Sequence, residues 1–293
     1  MSVSDFLKEL LEEEKITQTE GNIRRIRKEI KDFLVEHYRR NGKDVDYIYS
    51  GSLAKGTAIK SKYDIDIGII FNNKDFETLE KMFFDVKEVL EKKYGNVNVR
   101  EQNVSIRVNH NGYEIDVVPC RKINEDDSMD VYLYINRDDN NRIKSNLERH
   151  VEIVKDFKDR DVIKLLKIWR YRKKFKFKSF ALELLVIRAL ENEELQGLDK
   201  KFKCVLEFIK NNIDEIRLED PANTNNNLMD SITQKSKDEM KKFAKRALKC
   251  IENDNWKKIF DDSDGKCIDD KDIKSLESTF IASTPKPWSR FKN

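Results

Sequence analysis

The chain is poor in the residues that usually announce a metal centre or a disulfide scaffold. Three histidines (His37, His110, His150) and four cysteines (Cys120, Cys204, Cys250, Cys267) occur in 293 residues, and no two cysteines share C-x-x-C spacing. A zinc site is therefore not expected, and the thiols read as reduced and structural. No apolar run approaches the roughly 20 residues that a membrane helix needs, and the N-terminal stretch reads as a charged helix rather than a secretory leader. The expectation is a cytoplasmic protein with no membrane partner. A large charge excess is missing as well: 58 basic against 55 acidic residues leave a formal net charge of +3. Coating nucleic acid calls for a concentrated basic face, which this balance does not supply. There is no internal repeat and no low-complexity segment.

Apolar residues, 38% of the chain against 39% charged, gather into periodic segments, as in a heavily charged globular protein. Helical spacing is expected over 4–14, then from a capping box at Thr17-Gln18-Thr19-Glu20 to Arg40, and again over 76–94. Strand alternation is expected at 45–49, 65–71, 104–108, 113–118 and 131–135, with a turn at Asn109-His110-Asn111-Gly112. From Leu147 the pattern reads as helical to the end, at 147–157, 160–173, 180–191, 198–213, 234–253 and 270–281, with an inter-helix loop at 220–227. The tail Thr284-Pro285-Lys286-Pro287-Trp288 cannot continue a helix. The fold class is α+β: residues 1–145 form an α/β unit with a bracing N-terminal helix, and 146–293 an all-helical unit with a tail.

The stretch Tyr49 to Phe71 carries the chemistry. Gly51 and Ser52 follow a strand and open a turn or short helix, whose backbone N–H groups and hydroxyl suit a triphosphate. Asp64-Ile65-Asp66 then starts the alternation Ile65, Ile67, Ile69, Phe71, so both acids share the face opposite the core. Their Cα atoms lie roughly 7 Å apart, within reach of two divalent ions about 4 Å from one another, the arrangement for nucleotidyl transfer. Asp116, opposite in facing to Ile115 and Val117, is the candidate third carboxylate if its strand neighbours that of Asp64; Glu114 shares its facing, and periodicity alone leaves the choice open. On the helix at 160–173, Val162, Leu165, Leu166 and Trp169 make the buried stripe and Lys167 falls on the polar side. There it is either a solvated lysine or a counter-charge for phosphate, and eight basic residues among 164–178 also allow a nucleic-acid patch.

Together, Gly51-Ser-Leu-Ala-Lys-Gly-Thr-Ala-Ile59, Asp64-x-Asp66 and Glu114-Ile-Asp-Val-Val-Pro119 resemble the DNA polymerase beta-type nucleotidyltransferase superfamily. Within it they resemble the oligoadenylate synthase and cyclic GMP-AMP synthase branch, with its bacterial CD-NTases of CBASS antiphage systems. Leu165-Leu-Lys-Ile-Trp169, Ser179-Phe-Ala-Leu-Glu-Leu-Leu185, Asp220-Pro-Ala-Asn223 and Trp256-Lys-Lys-Ile-Phe260 extend the resemblance to about residue 262. It implies a polymerase beta-like domain with a mixed sheet, a helical second domain, and an active site in the cleft between them. It also implies that Lys167 and Ser179 hold triphosphate, that Phe180 stacks on the base, and that Asn223 belongs to the nucleotide site. Phe180 stands where Tyr is common, which keeps the stacking face and loses a hydroxyl. The implied activity is synthesis of a cyclic dinucleotide, or less readily a trinucleotide, from NTPs, with Asp64, Asp66 and Asp116 holding two Mg²⁺ ions that Mn²⁺ can replace. A monomer that needs no nucleic acid and signals to a downstream effector is implied. The competing readings are a template-independent RNA 3′-end nucleotidyltransferase and a non-catalytic nucleotide or nucleic-acid sensor.

Overall fold

The computed structural model describes residues 2–16, 18–63, 65–124, 129–136 and 142–261. Thr17, Asp64, Cys267, the helix expected at 270–281 and the tail from Thr284 lie outside them.

Helix α1 (Val3–Glu13) starts at Ser2, whose hydroxyl accepts the Asp5 N–H at 3.1 Å. Helix α2 (Gln18–Arg40) leads to β1 (Val45–Ser50), and Gly51, at φ +78°, turns the chain sharply into the short helix α3 (Gly51–Lys55). Strand β2 (Asp66–Phe71) follows, then α4 (Leu79–Tyr94), which begins at 79 because Thr78 caps it through the Lys81 N–H at 3.0 Å. Strands β3 (Val99–Glu101), β4 (Ile106–His110), β5 (Tyr113–Lys122), β6 (Val131–Tyr134) and β7 (Arg142–Ser145) complete the sheet. The rest is α5 (Leu147–Lys155), α6 (Arg160–Arg172), α7 (Ser179–Leu190), α8 (Leu198–Asn212), a hairpin of β8 (Glu219–Asp220) and β9 (Asn223–Asn227), α9 (Gln234–Glu252) and α10 (Trp256–Phe260).

The seven-stranded sheet runs β1-β2-β5-β4-β3, with β6 beside the second half of β5 and β7 beyond it. Strands β2 and β5 pair in parallel and the other pairs are antiparallel, so the sheet is mixed, as expected. Asn111 and Gly112, at φ +52° and +80°, form the two-residue turn between β4 and β5, and this sets every pair along the hairpin. One face of the sheet is apolar: Ile67, Ile69, Phe71, Ile106, Val108, Ile115 and Val117 pack against the stripes of α2 and α4 in a single core. A second core joins α6 to α10 and includes Leu7 and Leu10 of α1.

The α+β class holds, and three features differ from expectation. Strands β3 and β7, three and four residues long, were not expected. The stretch 220–227 is a hairpin rather than a loop, because Asp220 takes up the Ala222 N–H inside it and Asn227 takes up the Leu218 N–H just before it. Cys250 is disulfide-bonded, against the expectation of reduced thiols, while Cys120 and Cys204 are free. Among the described residues no helix is long and apolar enough to cross a membrane.

Gly68 lies two residues beyond Asp66 on the side of the sheet away from α2 and α4. A Cβ there would meet Ile48 Cγ2 at 2.7 Å and Leu147 Cδ1 at 2.8 Å, so only glycine lets α5 seat against β1 and β2. Gly68→Ala is expected to cost about 1–3 kcal/mol in urea unfolding, the usual range for overpacking.

Candidate active site

The site is built on one row across the sheet. In register, Ser50 of β1 faces Asp66 of β2, Asp66 faces Asp116 of β5, and Asp116 faces Arg107 of β4. Neighbouring strands lie about 4.8 Å apart, so the two carboxylates stand side by side on the face that α2 and α4 leave uncovered. The Asp116 N–H donates to Ile65 O at 2.8 Å and locks this register. The sequence set the condition that the Asp116 strand neighbour that of Asp64; β5 pairs with β2, which begins at Asp66, and the register separates Asp116 from Glu114, which faces Asn109. Asp64 lies outside the described residues. Asp116 accepts a two-pronged contact from Arg107, Nε to Oδ1 and Nη2 to Oδ2, both at 2.7 Å, while Nη1 of Arg107 reaches Glu114 at 2.8 Å.

Gly51 and Ser52 sit beside Asp66 where β1 turns into α3, and Ser52 is buried. The loop that leads from α3 toward β2 is held by Glu14: its carboxylate accepts the Ser61 N–H at 2.9 Å and the Ser61 hydroxyl at 2.6 Å, and its carbonyl accepts the Lys60 N–H at 2.7 Å.

Lys167 corrects an expectation. It is 2% exposed rather than on a polar side, because every residue of α6 from Val162 to Trp169 except Lys164 is buried. Its ammonium donates to Glu183 Oε1 at 2.6 Å, Thr57 Oγ1 at 2.9 Å and Thr57 O at 3.2 Å. Glu183 also accepts the Thr57 hydroxyl at 2.6 Å and, on its other oxygen, the Lys55 ammonium at 2.9 Å. One buried carboxylate thus serves two buried ammoniums, and it ties α3 to α6 and α7. Burial pushes the Glu183 carboxyl up, but Lys167, Lys55 and the Thr57 hydroxyl outweigh it and hold the group below the ordinary carboxylate range.

Ser179 is the first residue of α7, and its Oγ accepts from Arg170 Nη1 at 3.3 Å; the same nitrogen donates to Phe177 O at 2.5 Å. Phe180 lies between Lys55, whose Nζ is 4.1 Å from the ring centroid, and His150, whose ring is 4.4 Å away. His150 Nε2 in turn meets Asp220 Oδ1 at 2.6 Å. Burial raises the Asp220 carboxyl, and His150, the Ala222 N–H and Asn226 lower it further than burial lifts it. Asn223 opens β9 opposite Asp220. The structure therefore brings Gly51, Ser52, Asp66 and Asp116 together directly, joins Lys167 and Phe180 to α3 through Glu183 and Lys55, and leaves Ser179 in contact with Arg170 instead.

Four residues escaped the sequence reading. Lys55 and Glu183 were legible as charges inside apolar surroundings, since a glutamate in Phe180-Ala-Leu-Glu-Leu-Leu-Val must be buried with a partner. Arg107 was legible by counting back from the two-residue turn at 111–112. Glu14 left no signal, because its partner is a loop distant in the chain.

Residues 1–157 match the Second Messenger Oligonucleotide or Dinucleotide Synthetase domain family. The chain is 27% identical over 186 residues to a cyclic AMP-AMP-AMP synthase from Escherichia coli MS 115-1, covering 58% of this chain and 57% of that enzyme. It is 24% identical over 279 residues to the CBASS oligonucleotide cyclase CdnC of E. coli KTE188, covering 79% and 88%. The solved E. coli MS115-1 CdnC, in complex with HORMA-deltaN, superposes with a TM-score of 0.73 at 20% identity over 88% of this chain and 96% of that one.

Breaking the buried triad from its acidic side strands two ammoniums. Glu183→Gln is expected to lose about 3–5 kcal/mol in denaturant unfolding at neutral pH. Because the folded Glu183 pKa is lowered, its contribution is complete above the unfolded value, near pH 4.3, and disappears as the pH falls through the folded one. The stability gap between native and variant protein should stay flat from pH 7 to about pH 5 and close only in more acidic buffer.

Proposed function

Because the chain belongs to the Second Messenger Oligonucleotide or Dinucleotide Synthetase family and is a nucleotidyltransferase of the CBASS kind, we propose that it makes a cyclic oligonucleotide second messenger from nucleoside triphosphates in antiphage defence. The observation that carries this reading is the pairing of Asp66 with Asp116 in one row, flanked by the Gly51-Ser52 turn. Carboxylate oxygens from adjacent strands on one open face are the donor set that hard divalent cations take, so Asp66, Asp116 and, from the sequence, Asp64 fit two Mg²⁺ or Mn²⁺ ions. When bound, such ions lower the pKa of an attacking hydroxyl and neutralise charge on a leaving pyrophosphate.

The residues do the rest. Asp116 is placed to accept the proton of the acceptor ribose hydroxyl as its oxygen bonds to the α-phosphorus of the donor and the bond to pyrophosphate breaks. Ser52 and Ser179 position the phosphate tail. Lys55 and Lys167, two ammoniums against one carboxylate, leave a surplus positive charge beneath α3 that draws the triphosphate in. Phe180, its ring flanked by Lys55 and His150, belongs to the base end of the site, and Asn223 lies on the hairpin that Asp220 anchors to His150. A transfer of the same kind onto the far end of the linear intermediate closes the ring with loss of another pyrophosphate. The sequence favours a ring of two nucleotides, and the likeness to a cyclic AMP-AMP-AMP synthase supports a ring of three. The enzyme works as a cytoplasmic monomer, needs no nucleic acid, and hands its product to an effector.

Incubation with four labelled NTPs and Mg²⁺ or Mn²⁺, then phosphatase and mass spectrometry, tests this. A phosphatase-resistant small product, lost to background in the Asp64→Asn/Asp66→Asn variant, is expected, and its mass gives the bases and ring size. A ladder of products formed only on added RNA would replace this reading with end addition.

A further inference from the structure

The guanidinium of Arg107 grips one of the two carboxylates, and it is built into the sheet rather than laid over it. Its position opposite Asp116 is dictated by the hairpin turn at Asn111-Gly112, which leaves no register freedom between β4 and β5. Its fork spans both oxygens of Asp116 at 2.7 Å, the side chains being 22% and 17% exposed, and the third nitrogen is fixed on Glu114 at 2.8 Å. Glu114 is itself approached by Arg100 Nη2 at 3.6 Å, so acid and base alternate from β3 to β5.

We infer that Arg107 is a positioning residue for the metal-binding carboxylate Asp116. The inference rests on the metal-site reading above. A carboxylate has about four lone-pair directions, and a planar fork occupies only those that point at it. The remaining directions are left on the far side of Asp116, and the rotation of the carboxylate about its own bond is stopped. Asp66 is the neighbour on that other side. Without the fork, Asp116 beside Asp66 would turn away to relieve repulsion between like charges. Glu114 keeps the guanidinium in plane, which is why the periodicity of β5 supplies two acids on one face: one faces the ion and the other steadies its holder. A lysine could supply the charge but not the fork, so the geometry and not the charge alone is what is required here.

Metal affinity reads this directly. Free Mn²⁺ followed by electron paramagnetic resonance, with a non-hydrolysable ATP analogue present, gives the dissociation constant for the native chain, Arg107→Ala, Arg107→Lys and Asp116→Asn, with thermal unfolding of each as the check on folding. Arg107→Ala and Arg107→Lys are expected to bind Mn²⁺ about 10- to 100-fold more weakly, with kcat lowered and the KM for NTP little changed. If Arg107→Ala does not fold, Arg107→Lys, which keeps charge and bulk, decides. Native-like or tighter binding in the foldable Arg107 variants, with weak binding in Asp116→Asn, would overturn the positioning role alone. Native-like binding in Asp116→Asn would overturn the metal-site reading and this inference with it.

Discussion

Everything at the site depends on one strand pairing. Parallel alignment of β2 with β5 sets Asp66 beside Asp116, and the Asp116 N–H on Ile65 O fixes the register at the residue where it matters. A slip of one position would turn Asp116 into the core and put Val117 in the cleft. The apolar residues between the acids prevent that slip: Ile67, Ile115 and Val117 are fully buried against α2 and α4, so the same burial that stabilises the sheet also aims the carboxylates. Side-chain alternation makes fold and chemistry two faces of one constraint.

The second organising feature is a deficit of negative charge in a dry place. Glu183 answers two ammoniums, and each of the three charges comes from a different helix. Such a triad gains little net stability over apolar packing, because desolvation consumes most of the attraction. What it does give is geometry. It fixes where α3 stands relative to α6 and α7, and through Lys55 it fixes the Phe180 ring. The sheet half and the helical half are thus coupled through a carboxylate that is itself hidden from solvent.

Much of this was legible in the sequence, for physical reasons that also explain the rest. Long periodic segments such as 79–94 and 234–252 were readable because a helix buries a stripe, and the carboxylates because a strand sorts its side chains by parity. The hairpin register was encoded by Asn111-Gly112. The facing of Lys167 was not readable: a helix covered over most of its circumference has little polar face, and its buried lysine follows its partner and not the periodicity. The β8–β9 hairpin was hidden for a similar reason, since asparagines that satisfy backbone groups with their side chains look, in sequence, like any turn. Contacts between distant segments, such as Glu14 with Ser61, leave no local trace at all.

Helix α1 precedes the sheet in the chain yet belongs to the helical core, with Leu7 and Leu10 packed beside residues of α6 and α8. The sheet half is therefore held between two covalent crossings, one from α1 into α2 and one from β7 into α5. The Glu183 bridge adds a third tie, from α3 to α6 and α7, so a cut of the chain near residue 145 would leave the sheet half joined to the helical half through α1 and through buried charge.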